Sequence, residues 1–276
     1  NNISLLLLKA GPLMSLDPDT PDIFTGRLPA EMPYTSPALD LANLDQLVSE
    51  VKQDNLVIDW ARYLKLRPWV LQQDPELSYL LLPEMQLLIE SARTEQQRVL
   101  FATLWVTGGR ISEVLALTPK SFIVDDAHLG SAVSLPTRKK RNKSGKPTLM
   151  YRLVPVIDPT YWQMVQRFLA DHRGGANAPI FQSVGVGKKP TAVSVRTTQR
   201  WVDNCQRSLS ETYQPGIKIS PHTFRHSFAV NALLHGRDIR VISQWLGHAS
   251  VKETERYLNV LSLDTGHLMQ GVRYWA

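Results

Sequence analysis

The chain has 276 residues, 43% hydrophobic and 20% charged, with a formal net charge of +6, which is ordinary for a globular protein and long enough for two domains. No apolar run approaches the ~20 residues of a membrane helix, and the tract Leu5 to Leu8 lacks the basic flank and small-residue cleavage site of a signal peptide, so no membrane partner is expected. The single cysteine, Cys205, rules out an internal disulfide and cysteine-rich zinc sites, and suits packing inside a protein of a reducing cytoplasm.

Residues 1–37 are punctuated by Pro12, Pro18, Pro21, Pro29, Pro33 and Pro37, which predicts extended or loop structure. The chain opens on Asn1 rather than methionine, as a trimmed product would. Residues 38–73 have helical periodicity, with Leu44, Leu47, Val48 and Val51 on one face and a second set at Val57, Ile58, Ala61 and Leu64. The segment DPELSYLLLPEM then reads as a join between a first region, 1–75, and a larger domain, 76–276. The two differ in charge: six Lys/Arg against ten Asp/Glu in the first, 25 against 15 in the second. A basic excess confined to the larger domain suits non-specific affinity for nucleic acid.

Helices are predicted at 84–92, at 95–107 ending on Gly108, and from Ile111 to before Pro119. Residues 130–157 alternate as strands, SAVSLP and TLMYRLVPV, around the basic turn TRKKRNKSGKP. Further helices are predicted at 159–172 and 194–209. Ser220 is a good N-cap and Pro221 a good first residue for a helix reaching about His235 and stopping at Gly236. A short helix follows from Asp238 to Gly247, and Ser250 with Glu253 forms a capping box for a helix carrying Tyr257. The expected fold is mainly α with a small antiparallel β-sheet, an α+β class without internal repeats.

Four patches carry side chains suited to phosphate chemistry: Arg110 in TGGRISEVLAL, His222 and Arg225 in SPHTFRHS, His248 in WLGHAS, and Tyr257 in TERYLNV. Each alone has a bland reading as a surface arginine, a loop histidine or a core aromatic. Together they suit phosphoryl transfer without metal. His222 and Arg225 share a face in the first turn of their helix, where free N–H groups favour bound phosphate, and an arginine there adds a planar fork matched to two oxygens. Arg110 follows a Gly-Gly break, and Glu113 three residues on either orients its guanidinium or favours the helix N-terminus. His222 and His226 have metal-ligand spacing, but Thr223 stands where a zinc protease has glutamate, so no metal is expected. A phenol with pKa near ~10 needs neighbouring cations to attack at neutral pH, and Arg110 and Arg225 are the candidates to supply them to Tyr257. The hairpin residues Arg138, Lys139, Lys140, Arg141, Lys143, Lys146 and Arg152 have no acid among them. They form either a solvated charge run or a DNA-contacting turn in which one lysine acts as a general acid. Strand alternation puts Lys139 and Lys140 on opposite faces.

This set resembles the tyrosine recombinases, the phage-integrase superfamily, over roughly residues 80–262. TGGRISEVLAL is similar to the family's first arginine motif, with Gly109 where leucine is common. HTFRH resembles its His-x-x-Arg-His motif, and LGHASVKETERYL its final segment, a histidine followed nine residues later by the nucleophile. LFATLWVTGGRISE, SPHTFRHSF and LVPV most resemble F-plasmid-type resolvases, with Xer-like relatives beside them.

The resemblance implies a site-specific recombinase acting on double-stranded DNA, with Tyr257 forming a 3′-phosphotyrosyl bond. It implies that Arg110, His222, Arg225 and His248 are catalytic and that Lys139 or Lys140 protonates the leaving 5′ oxygen. Lys140 is favoured because KKRNK parallels the GKGNK turn of Xer-like relatives. Glu113 and His226 would support the site, and Arg138, Arg141, Lys143 and Lys146 would contact DNA. It further implies no cofactor, a homotetramer on DNA that is monomeric or dimeric when free, a bacterial nucleoid- or plasmid-associated location, and a task in plasmid multimer resolution or mobile-element integration and excision. Residues 1–75 would be a reduced form of the family's DNA-clamping region. Two other readings fit the same residues: a type IB topoisomerase, which shares the chemistry, and a DNA-binding regulator with an inactive site. Apolar residues in LNVLSLDTGHLMQGVRYWA suit docking on a neighbouring subunit and favour the recombinase.

Overall fold

Thr94 caps the helix at the centre of the core, its hydroxyl accepting the N–H of Gln97 at 3.2 Å. The computed structural model describes residues 58–126, 130–141, 147–172, 175–183, 191–209 and 213–262, with residues 125–126, 130, 138–141 and 147–149 by backbone alone. The expectations for 1–57, for the turn bearing Lys143 and Lys146, and for the tail beyond Ser262 lie outside the described residues.

The described chain is mainly helical with two small antiparallel sheets. In order it forms α1 (Trp60–Gln73), α2 (Leu82–Glu90), α3 (Glu95–Thr107), α4 (Ile111–Val114), β1 (Phe122–Asp126), β2 (Gly130–Arg141), β3 (Pro147–Pro155) and α5 (Pro159–Ala170). There follow β4 (Gln182–Ser183), β5 (Thr191–Ala192), α6 (Val195–Leu209), α7 (Pro221–Leu234), α8 (Ile239–Leu246), α9 (Lys252–Glu255), a 3₁₀ turn (Arg256–Leu258) and α10 (Asn259–Ser262). Helix α3 buries Val99, Leu100, Phe101, Ala102, Thr103 and Leu104, nearly its whole girth, and so lies at the centre. It meets α7 through Phe101 and Phe224, ring centroids 5.5 Å apart, and α5 through a 3.1 Å hydrogen bond between the hydroxyls of Thr103 and Tyr161. The sheet β1–β2–β3 leans on α5, where Trp162 meets Phe122 edge-on and donates Nε1–H to the Val156 carbonyl at 2.7 Å. Cys205 is buried in this core, as its expected packing role requires.

Helix α1 is fastened to the body by a buried charge. The Arg67 guanidinium pairs with Glu84 at 2.6 Å and donates to the carbonyls of Tyr79 and Pro215, while the Tyr213 hydroxyl donates to Glu84. Pairing with this many acceptors is what offsets the desolvation of both ions.

Most helix ends fall where capping residues predict them, but the helix expected from Ile111 to before Pro119 stops at Val114, and two further local features differ from simple pattern. First, β2 and β3 run in register from Ala132 opposite Pro155 to Thr137 opposite Met150, then resume at Lys140 opposite Thr148. Three steps on β2 match two on β3, so a bulge falls at Arg138 and Lys139, and a period-two count from Leu135 does not carry through to Lys139 and Lys140. Second, the Ser250 hydroxyl accepts the N–H of Lys252 rather than of Glu253, a side-chain turn instead of a capping box. The helix beyond it is only Lys252–Glu255, and Tyr257 lies in the tighter 3₁₀ turn that follows.

Candidate active site

Ser220 and Pro221 start α7 as predicted, and the Ser220 N–H is taken by the Thr223 hydroxyl at 3.0 Å. That start fixes which face of α7 carries Arg225, which is buried to 5% exposure. Its Nη1 donates to the Gly108 carbonyl and its Nη2 to the Leu246 carbonyl, both at 2.8 Å. One guanidinium thus joins the loop that leads into Arg110 and the end of α8 that leads into His248. These two bonds use two of its five N–H donors, leaving three for a ligand. Burial and then the Arg110 charge push its pKa down to about 10, so it stays cationic at neutral pH.

Gly108 makes this closeness possible. It ends α3 with φ +57°, and an added Cβ would stand 2.5 Å from Phe228 Cδ1 and 2.9 Å from Leu246 Cδ2. At Gly109 a Cβ would stand 2.7 Å from Val114 Cγ2, so the space a leucine would need is already filled. Arg110 then sits half-buried as the N-cap residue of α4. Glu113 accepts its backbone N–H at 2.8 Å and its Nη1 at 3.1 Å, so it both caps the helix N-terminus and orients the guanidinium, the two alternatives the sequence left open.

Glu113 also holds a second arginine. Arg152 Nη2 lies 2.7 Å from Glu113 Oε2, and Arg152 Nε donates to the Trp245 carbonyl at 2.8 Å. This corrects the grouping of Arg152 with the DNA-contacting charges of the hairpin: its side chain is turned inward. The signal was present in the sequence. Arg152 lies opposite Leu135 and two residues before Val154, both buried, so period two puts it on the core face. Burial acts to raise the pKa of Glu113, but the hydrogen bond and charge of Arg152, followed by Arg110, prevail and hold it below the usual carboxylate value. Arg152 and Arg225 take the adjacent carbonyls of Trp245 and Leu246 at the C-terminal end of α8, where cations complement the helix dipole.

Gly247 closes α8 with φ +65°, as predicted, and delivers His248 half-buried with Nδ1 2.7 Å from the Thr254 hydroxyl. Burial and then Arg225 push His248 down to about 4, so its imidazole is neutral at pH 7. His222 is exposed in the first turn of α7.

Tyr257 is 2% exposed, with its hydroxyl 3.0 Å from Nδ1 of His226, the residue after Arg225. Burial raises the phenol to about 12 against the opposing charges of Arg225 and Arg256. The expectation that Arg110 and Arg225 lower it is therefore half right. Arg225 does act on it, Arg256 replaces Arg110, and desolvation outweighs both. Arg256 is held by a two-pronged pair with Asp74 at the end of α1, at 3.0 and 2.8 Å. His226 is pushed down to about 4 by burial, then by Arg256, His222 and Arg225.

Arg225 is thus tied to the chain just before Arg110 and just before His248, Glu113 holds Arg110, and Tyr257 is bonded to His226, the residue after Arg225. Lys139, Lys140, Arg138 and Arg141 lie on β2 by backbone position only, and Lys143 and Lys146 outside the described residues. Among the described residues no three His, Cys, Asp or Glu side chains gather as a metal site would need, and no helix is long and apolar enough to cross a membrane.

The family model described as the phage integrase family matches residues 79–263. A probable site-specific recombinase of the afa region of Escherichia coli is 31% identical over 209 residues, 75% of this chain and 80% of that one. An Escherichia coli resolvase is 30% identical over 222 residues, 76% of this chain and 84% of that one. Among solved structures, the XerA recombinase matches with TM-score 0.51 and 20% identity over 87% of each chain. A post-cleavage complex of the XerH site-specific recombinase with palindromic difH substrate matches with TM-score 0.53 and 20% identity, over 81% of this chain and 57% of that one. The fold is theirs, and the sequence places this chain among the tyrosine-type site-specific recombinases: it belongs to the phage integrase family.

Proposed function

We propose that this recombinase cuts one strand of double-stranded DNA with Tyr257 and holds it as a 3′-phosphotyrosyl bond until another 5′-hydroxyl releases it. The observation that carries the reading is the meeting of four sequence patches around Arg225: the Arg110 loop, α7, the His248 turn and, through His226, Tyr257. The Tyr257 oxygen bonds to phosphorus, the bond from phosphorus to the 5′ oxygen breaks, and that oxygen takes a proton from Lys139 or Lys140. Arg110 and Arg225 neutralise the charge that builds on the phosphate oxygens, and His222 helps to bind them. His248, neutral with Nδ1 facing Thr254, offers Nε2–H to the same oxygens. The bond energy stays in the phosphotyrosine, so neither nucleotide nor metal is required, and cleavage should persist in chelator.

The test uses a nicked suicide duplex, selected from random-sequence DNA by binding to the full chain. Tyr257→Phe removes one hydroxyl, so fold and binding should survive while the denaturant-resistant protein–DNA adduct disappears. An adduct of parental yield from the variant refutes the reading. For the biological task, likeness to Escherichia coli resolvases over most of both chains favours plasmid multimer resolution by a homotetramer on two sites. A plasmid dimer carrying two selected sites should then yield monomers, and relaxation of supercoils without monomers would favour a topoisomerase.

A further inference from the structure

Tyr257 needs somewhere to send its proton, and the structure offers one acceptor. The phenol is almost wholly buried, and among the described residues its one hydrogen bond is to His226 Nδ1. A buried hydroxyl needs an acceptor, so the phenol donates and the imidazole carries its own proton on Nε2. We infer that His226 is the proton acceptor for the attacking tyrosine, a catalytic role separate from that of His222 on the same helix. This rests on Tyr257 being the nucleophile.

The surroundings suit the task. His226 is faced by Arg256 from the 3₁₀ turn, by His222 and Arg225 from its own helix, and by Asp74 from the end of α1. Burial first, and then the three basic groups among these, disfavour imidazolium, so Nδ1 is unprotonated and ready to accept at neutral pH. The phenol, held near 12, does not ionise beforehand. Transfer therefore accompanies attack. As the tyrosine oxygen bonds to phosphorus its O–H bond breaks, the pair of that bond stays on oxygen, and the proton moves to the Nδ1 lone pair. The 5′ oxygen leaves with the electrons of its bond to phosphorus. The negative phosphate in the site offsets the basic neighbours and favours the imidazolium just when it forms. The ring is half-buried, so Nε2–H provides a route for the proton onward to solvent.

The experiment measures single-turnover adduct formation on the selected suicide duplex between about pH 6.5 and 9.5 for the parent, His226→Ala and His226→Asn. Loss of a general base slows cleavage about 10²–10⁴-fold. Both variants should be slow at the low end and recover about tenfold per pH unit, as hydroxide replaces the imidazole, while the parent stays nearly flat. The loss should persist on DNA whose bridging 5′ oxygen is sulfur, since sulfur relieves only the leaving group. The asparagine amide keeps a hydrogen-bonding group near Nδ1 without basicity. Recovery in His226→Asn alone therefore overturns proton transfer in favour of mere positioning. Near-parental rates in both variants, or a loss that pH does not restore, also overturn it. Binding and melting measurements on each variant separate misfolding from chemistry. A parental-yield adduct from Tyr257→Phe defeats the nucleophile reading instead, which keeps the two failures distinct.

Discussion

The helical side of the site and the hairpin side solve different problems. On the helical side every chemistry-bearing group but His222 is tied before DNA arrives: Arg225 by two carbonyls, His248 by Thr254, Tyr257 by His226. On the hairpin side β2 and β3 hold Arg152 inward beside Glu113, and the basic run begins at the bulge, at Arg138 and Lys139. The difference teaches where preorganisation lies. The proposed phosphate cradle is held by hydrogen bonds within the fold, while the part proposed for the hairpin cations of β2 and the turn beyond it depends on DNA.

The sharpest break of this comparison is chemical. Alanine variants at Lys139, Lys140, Lys143 and Lys146 should leave one position, Lys140 by preference, slowed about 10²–10⁴-fold on ordinary DNA. That position should be restored when the bridging 5′ oxygen is sulfur. Equal slowing on both substrates at every position would remove the general acid from the hairpin.

Next comes Arg225→Lys, which keeps the charge but cannot span Gly108 and Leu246 together. Cleavage should fall about 10²–10³-fold with binding at low salt little changed. Cleavage within a few-fold of the parent would show that the carbonyl ties do not matter.

Arg152→Met tests the boundary between the two sides on one strand. Removing one partner of a buried pair costs about 3 kcal/mol, so the denaturant midpoint should drop with its slope unchanged. Neutralising Arg138, Arg141, Lys143 and Lys146 should leave the midpoint alone and flatten the salt dependence of DNA affinity, by up to about 0.9 in log–log slope per lost phosphate contact. Equal effects on stability would erase the distinction.

The smallest effect is in pH. His226 and His248 have folded pKa values depressed to about 4. As pH falls from about 6.5 towards 4, the unfolded chain takes up protons that the folded chain refuses, so stability should decline across that window. Denaturation at the two ends checks this, and His248→Gln should shallow the slope.

Much of this was legible in the sequence. Ser220, Asp238 and Gly247 fix helix ends by side-chain chemistry that acts over three or four residues, so α7 and α8 could be bounded in advance. The inward turn of Arg152 was readable from its spacing to Val154 but was masked by the basic run beside it. The pairing of Arg256 with Asp74, across 182 residues, has no local signature at all. Nor does the rise in the Tyr257 pKa, because it follows from how deeply the 3₁₀ turn sits, which only packing decides.

The carbonyls that hold Arg225 have one further consequence. A carbonyl belongs to every residue type, so the orientation of this guanidinium is indifferent to which side chains occupy Gly108's and Leu246's neighbours on the surface. With Arg225 in the phosphate-binding role proposed above, side chains around these two carbonyls can be exchanged without releasing it. Gly108 does not share this freedom, because a Cβ there would stand 2.5 Å from Phe228 and 2.9 Å from Leu246, whose carbonyl Arg225 also reaches.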